Sequence, residues 1–220
     1  MSQRRDVRAS LLSSRVLATF LALVLVPAIG HGQAAPSDLP PGVYPAEQDY
    51  KLALAGTYAL DPDHAAVIAR VSHLGYSYSI FRFDRLDATL TWDPADPSGA
   101  ALSAKVEAAS IASNVKGFSE QLAGDNFLKS NAFPQVTFAS TAFRQTGPRA
   151  GKVDGTLSLL GHTKPVTFDV ELVGAGKGLT GQPRIGATAR ASINPAEFGL
   201  MPLLGPSIEI VADVEFVRTP

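Results

Sequence analysis

The sequence predicts an all-β domain whose antiparallel strands close into a barrel of about eight strands. Three observations lead there. From about Gly56 onward, apolar residues recur at every second position, the pattern of strands with one wet face and one dry face. Clusters rich in Gly, Pro and Asp separate these runs: DPADPSG at 93–99, TGPRAG at 146–151 and GAGKGLTGQP at 174–183. They read as turns between strands. No long helical pattern supplies a layer to cover the dry face, so the sheet closes on itself or a second sheet stacks on it. Side-chain size bears on that choice. Ala69, Ala88, Ala104, Ala108, Ala187, Ala189, Ala191 and Ala212 all fall on the apolar parity. Barrels of about eight strands can hold one ligand when side chains do not fill them. The alanines favour the barrel, with the sandwich as the alternative.

Taken in chain order, the first element is not part of the fold. Arg4, Arg5 and Arg8 precede an uncharged apolar run from Val16 to Ile29, and small residues follow in GHGQAAP. That is the layout of a cleaved secretory signal over residues 1–34. The run is shorter than the roughly 20 residues a membrane-spanning helix needs, which argues against a permanent anchor. Residues 35–55, with Pro36, Pro40, Pro41 and Pro45, read as a Pro-rich leader. The barrel is expected over 56–220.

Within it, Val67, Ala69 and Val71 alternate with Arg70 and Ser72, and Leu86, Ala88, Leu90 and Trp92 with Asp87, Thr89 and Thr91. Leu102 to Ala108, Val166 to Leu172 and Ile208 to Phe216 repeat the pattern. LGHTKP at 160–165 reads as a hairpin connection in which Gly161 supplies positive φ. Two helical segments are expected. One is Val115 to Leu128, with Phe118, Leu122 and Phe127 sharing a face. The other is a short turn at 195–200 with Asn194 as N-cap and Pro195 at its first position.

Composition excludes several classes. Removing residues 1–34 deletes four arginines and one aspartate, taking the formal net charge from −1 to −4. A mildly acidic, mixed-charge body has no electrostatic footprint for nucleic acid. There is no cysteine, so an exported chain must be held by its own core.

Six stretches, in order, resemble the YceI-like family of exported, lipocalin-like proteins that bind polyisoprenoid lipids. They are YALDPDHAAVIARVSHLG (58–75), the SI-then-RF corner at 79–83, ASIAS (109–113), LAGDNFLKSNAFPQVTFAS (122–140), VDGTLSLLGHTKPVTFDV (153–170) and INPAEFGL (193–200). The resemblance implies an extended antiparallel barrel around a long apolar cavity, with a short helical segment closing one end. It implies a ligand set of Val67, Ala69, Val71, His73, Phe81, Phe83, Phe127, Phe133, Phe138, Phe168, Ala187 and Phe198. Departures from the family pattern are Ala69 and Ala187 where Phe is usual, Phe81 where glycine is common, and Pro195 in place of an arginine. They bear on ligand length, pose and head-group contacts.

Catalytic chemistry finds little text to rest on. The mature chain holds His64, His73 and His162, without the HxH, HxxxH or cysteine spacing of a metal site. Each reads first as a structural histidine, and the sharper reading places His73 at the ligand's polar head. No G-x-S-x-G elbow occurs. The pairs Asp61/Asp63 and Asp84/Asp87 sit in turn-rich text, where aspartate serves local hydrogen bonding. GAGKGLTG lacks the spacing of a phosphate loop.

The expectation is therefore a soluble periplasmic or secreted protein, not an enzyme and without metal or cofactor. It holds an isoprenoid lipid of quinone or polyprenol type, touches membrane surfaces transiently, and is compatible with a homodimer. The alternative is an enzyme on the same barrel using His73 or His64 as acid–base. Burying about ten CH2-like groups contributes on the order of 8 kcal/mol. Ordering consumes part of this, and the affinity that is left needs few polar contacts. If the signal is read correctly, intact-mass measurement of the exported protein will place its N-terminus near Ala35. A mass that retains residues 1–30 would contradict it.

Overall fold

The computed structural model describes residues 45–179 and 181–220; the expected signal and residues 35–44 of the leader lie outside them. Strands β1 (Gly56–Leu60), β2 (Ala66–His73), β3 (Ser77–Phe83), β4 (Leu86–Trp92), β5 (Ala101–Glu107) and β6 (Ile111–Ala112) precede helix α1 (Phe118–Ala123). After it come β7 (Gln135–Gln145), β8 (Ala150–Leu159), β9 (His162–Lys177), β10 (Pro183–Ile193) and β11 (Ile208–Arg218). All neighbouring strands among them pair antiparallel, and eight form a closed ring in the order β1, β4, β5, β7, β8, β9, β10, β11 and back to β1. The barrel, not the sandwich, is the fold.

The remaining strands extend the wall. β11 pairs with β10 along its whole length, but its other edge is shared. Ile208–Asp213 pair with β2, and Phe216–Arg218 pair with β1. β1 and β2 thus behave as one long strand broken at Asp61–Ala65. β3 and β4 form a second broken strand, pairing with β2 and β1 respectively. Ser110, a buried polar residue, stitches that second break: its Oγ accepts from Arg85 N (3.1 Å) and donates to Glu107 O (2.7 Å). Breaking a strand re-aims it without leaving backbone groups unpaired, which a buried wall requires.

Local chemistry explains most of the turns. Leu160 (φ 53°) and Gly161 (φ 77°) form the two-residue β8–β9 hairpin, both in the left-handed region that a type I′ turn demands. Asn194 accepts from Ala196 N (3.1 Å) and Pro195 opens the 3-10 turn Pro195–Phe198, as expected. Two expectations need correction. The helix expected over 115–128 is only Phe118–Ala123, because Gly117 enters it with φ 74° and Gly124 leaves it extended. The chain then folds back through tight turns, with Leu128 N donating to Leu122 O and Ser130 N to Ala123 O. GAGKG was read as loop, yet β9 runs through Lys177. Its small residues receive the N-terminal segment: Glu47 and Ala175 exchange both backbone hydrogen bonds (2.9 and 2.8 Å), and a Cβ on Gly174 would stand 2.6 Å from Ala46 Cβ. Residues 45–55, expected as leader, therefore lie against the barrel, with Ala53 fully buried.

Two apolar clusters form the interior. One centres on Phe81, Phe83, Leu122, Phe138 and Phe198, the other on Tyr58, Leu90, Leu172, Ile185 and Phe216. Where β11 changes partner, Arg184 reaches across with Nη1 donating to Asp61 Oδ2 (2.7 Å) and to Glu215 Oε1, while Asp61 N donates to Glu215 O (2.8 Å). The Arg184 guanidinium holds the Asp61 carboxyl below the usual range, with His64 and the Asp63 N–H adding to it and burial opposing. A carboxylate with a lowered folded-state pKa stabilises the fold above its unfolded value, near 4, and loses that contribution as pH falls through the folded value. Arg184→Met should therefore destabilise the protein at neutral pH by roughly 1.5–3 kcal/mol. It should also flatten the fall in Tm between pH 5 and 2.5. Parallel Tm–pH curves for variant and wild type would show that the triad contributes nothing.

Candidate functional site

The inward parity of the strands, read upward from the sequence, lines an apolar cavity of two lobes. The first has a volume of about 220 Å³ and the second about 160 Å³. Leu102, Val153, Val170, Ala189, Val214 and Phe216 line both, so the lobes adjoin at a waist of shared side chains. Of the eight alanines on the apolar parity, Ala69, Ala88, Ala104, Ala189 and Ala212 line the first lobe, and Ala187 and Ala189 the second. Ala88 lies directly opposite Ala104, and Ala189 opposite Ala212. Small side chains side by side on neighbouring strands leave the interior beside them unfilled.

Nine of the twelve residues expected to bind ligand line this cavity. Val67, Ala69, Val71, Phe81, Phe83, Phe127, Phe138 and Phe168 are in the first lobe and Ala187 is in the second. Three are placed elsewhere. His73 stands exposed at the end of β2, beside the turn at Leu74 (φ 54°) and Gly75; it shares parity with the lining residues, but the strand has reached the barrel rim there. Phe133 lies over the β8–β9 hairpin, its ring 3.0 Å from where a Gly161 Cβ would be. Phe198 is 1% exposed and belongs to the first apolar cluster. His64 is exposed and hydrogen-bonded to Asp61 (Nδ1–Oδ2, 3.1 Å). Neither histidine offered for acid–base chemistry borders the cavity.

The helical segment closes the first lobe. Phe118 packs on Phe81 (ring centroids 6.0 Å) and on Phe127 (6.1 Å, edge to face), and Leu122, Phe127 and Leu128 face the lobe. β3 pairs with β6 through Arg82 and Phe83 alone, so aromatic packing covers a stretch of wall that strand pairing does not. Phe81 also lies directly opposite Ala69 in register. The ring missing at Ala69 is thus supplied from the neighbouring strand.

The expected ligand set left out lining residues both inside the marked motifs (Val136, Leu157, Leu200) and outside them (Trp92, Phe143, Leu204). Leu157, Val136, Leu200 and Leu204 line the first lobe, and Phe143 and Trp92 the second. Parity around Gly155 would have found Leu157. Gly155 itself has a steric role: a Cβ there would lie 2.3 Å from Phe138 Cζ and 2.4 Å from Ala139 O. The Phe138 ring lies across this glycine and meets Phe168 edge to face at 5.1 Å.

The cavity's walls carry almost no free polarity. Arg144, Arg149 and Lys152 border the second lobe, but their charged heads engage Asp154, Glu171 with Gln48, and Asp169. Long cationic side chains often present an apolar stem while the head stays in water. Among the described residues, no group of three His, Asp or Glu is placed to hold a metal.

The YceI-like domain model matches residues 58–216. A UPF0312 protein of Pseudomonas putida is 37% identical over 150 residues, covering 67% of this chain and 78% of that one. The crystal structure of Burkholderia cenocepacia BcnA superposes with a TM-score of 0.64 at 21% identity, covering 71% and 98% of the two chains. A polyisoprenoid binding domain from Saccharophagus degradans, described as implicated in plant cell wall breakdown, gives a TM-score of 0.57 at 14% identity, covering 74% and 98%. The last two are likenesses of fold.

Gly155→Ala should expose the steric constraint. The added methyl meets backbone as well as the Phe138 ring, so the ring must move into the cavity. The expected cost is in the range of overpacked cores, roughly 1–3 kcal/mol, read by urea denaturation. Unchanged stability would mean that the ring moves freely.

Proposed function

The chain belongs to the YceI-like family, and from that premise we propose that it is an exported binding protein for an isoprenoid lipid, held along the barrel axis for transport, storage or sequestration. The observation that carries this reading is the pair of adjoining lobes lined by alternate apolar residues of the strands. A chain-like hydrocarbon gains from such a surface along its whole length, at roughly 25 cal/mol per Å² of apolar area buried. A compact polar substrate gains nothing, because burying its polar groups without partners is unfavourable. The isoprenoid class draws support from the polyisoprenoid binding domain that shares this fold. Export draws support from the basic and apolar N-terminal sequence. The lining also fits a role without turnover, since the histidines lie outside it.

The waist offers the test. Ala189 borders both lobes and lies beside Ala212 on the neighbouring strand. In Ala189→Phe the new ring enters open volume and blocks passage between lobes. Stability should change by less than the roughly 1–3 kcal/mol of an overpacked core. Native mass spectrometry of protein purified from its natural host should show a bound apolar mass on the wild type and its loss from the variant. An equal lipid load on both, or no bound mass on the wild type, would sink the reading.

A further inference from the structure

Exposed apolar side chains gather at one end of the barrel. Ile208 opens β11 between Val71 of β2 and Ile193 of β10, so the β2–β3 hairpin and the 194–207 connection leave the wall at the same end. The hairpin carries Leu74 (72% exposed) and Tyr76 (88%), with Tyr78 and Ile80 exposed behind them. The connection carries Leu203 (71%) on the turn Pro202–Leu204, which packs against β2. Val115, exposed just past β6, precedes Phe118, whose ring packs on Phe81. Six of the ten large apolar side chains exposed among the described residues therefore belong to three short segments. Single exposed apolar residues are ordinary, whereas a group of them marks an interaction site.

Two further observations say what covers this end. Apolar surface continues inward along the same segments: Phe81 and Leu204 line the first lobe, and their neighbours Ile80 and Leu203 are exposed. Charge is also one-sided there. Residues 71–81, 111–119 and 199–208 contain no carboxylate and one cation, Lys116, in a body whose formal net charge beyond residue 34 is −4. Of the carboxylates on adjoining elements, Asp84 is paired with Arg82 and Glu209 with Arg70 and Arg190, while Glu120 on α1 is exposed. Tyrosine, with an apolar ring and a polar hydroxyl, suits the boundary between headgroups and acyl chains.

We propose that this end docks on an anionic lipid bilayer, with Leu74, Tyr76 and Leu203 as the tips that enter the headgroup layer. The proposal rests on the lipid-binding reading and adds a route to it: cargo passes between the membrane and the first lobe at this end. A second copy of the chain could meet the same tips. Neither the missing carboxylates nor the continuity with the lobe would serve it.

Vesicles of phosphatidylethanolamine and phosphatidylglycerol carrying a fluorescent prenyl alcohol test this. The wild type should co-sediment with them, more weakly with phosphatidylcholine vesicles, and take up the alcohol. Leu74→Asn with Leu203→Ser removes two tips that do not line the cavity, and asparagine tolerates the left-handed backbone at position 74 (φ 54°). This double variant should bind the vesicles, and draw alcohol from them, about tenfold less well, because two apolar side chains no longer leave water. Its load of alcohol added directly should match the wild type's. Leu179→Ser is the matched control: Leu179 is 73% exposed but follows β9 at the opposite end, so nothing should change. Undiminished vesicle binding by the double variant overturns the proposal, as does an equal loss in Leu179→Ser. A wild type that forms a dimer dissolved by the two substitutions, instead of attaching to vesicles, gives the face to a second copy. No uptake of alcohol from either source refutes the lipid-binding reading, and the docking face with it. Uptake without attachment to vesicles refutes the docking face alone.

Discussion

Three residue pairs close the ring. Tyr58, Ala59 and Leu60 of β1 pair with Arg218, Val217 and Phe216 of β11, and without that short ladder the sheet would have two free edges and no inside. Closure satisfies the backbone groups of both edge strands at once. The ladder is short because β11 gives the rest of that edge to β2. The change of partner is fixed by Asp61, Arg184 and Glu215, and Tyr58, fully buried beside it, locks the same corner through its hydroxyl to Leu54 O. The cavity depends on this seam more than on any residue that lines it.

A closed backbone ring relaxes the usual demand on a core. In a sandwich, side chains must fill the space between sheets to native density. Here the ladders hold the wall, and the side chains of the two apolar clusters line open volume as well as packing on one another. Alanine beside alanine on neighbouring strands, as at Ala88–Ala104 and Ala189–Ala212, leaves part of the interior open. Ala69, Ala104, Val136 and Ala212 are only partly buried and line the first lobe. That surface forgoes dispersion contacts, and an apolar chain laid against it restores them, so ligand binding and folding stability are coupled by mass action.

The two lobes differ in what surrounds them. The first is capped by a short helix and a chain of phenylalanine rings, Phe81, Phe118 and Phe127, all apolar. The second is bordered by the β7–β8 turn, the N-terminal segment and three cations whose charges are turned outward. This asymmetry gives an elongated ligand a direction. It arises from loops and strand ends, where barrels commonly carry their specificity.

Much of this was legible in the sequence. Period-two alternation is a local property of the pleat, so the inward parity of Val67, Ala69, Phe168, Ala187 and Ile210 could be assigned residue by residue. The Asn194 cap and the Gly161 hairpin are equally local, since each needs only its neighbours' backbone. What only the tertiary structure decided is non-local. Alternation placed His73 inward, but the strand had run past the rim. Apolar spacing promised a helix of 14 residues over 115–128, but Gly117 and Gly124 confined it to six. The glycines of 174–176 read as a loop because their reason, the N-terminal segment packed on β9, lies more than 120 residues away. Trp92 looked like one more inward aromatic. That its N–H is buried without a partner is a fact no stretch of sequence contains. Parity tells a side chain which face it takes; closure of the ring decides what it finds there.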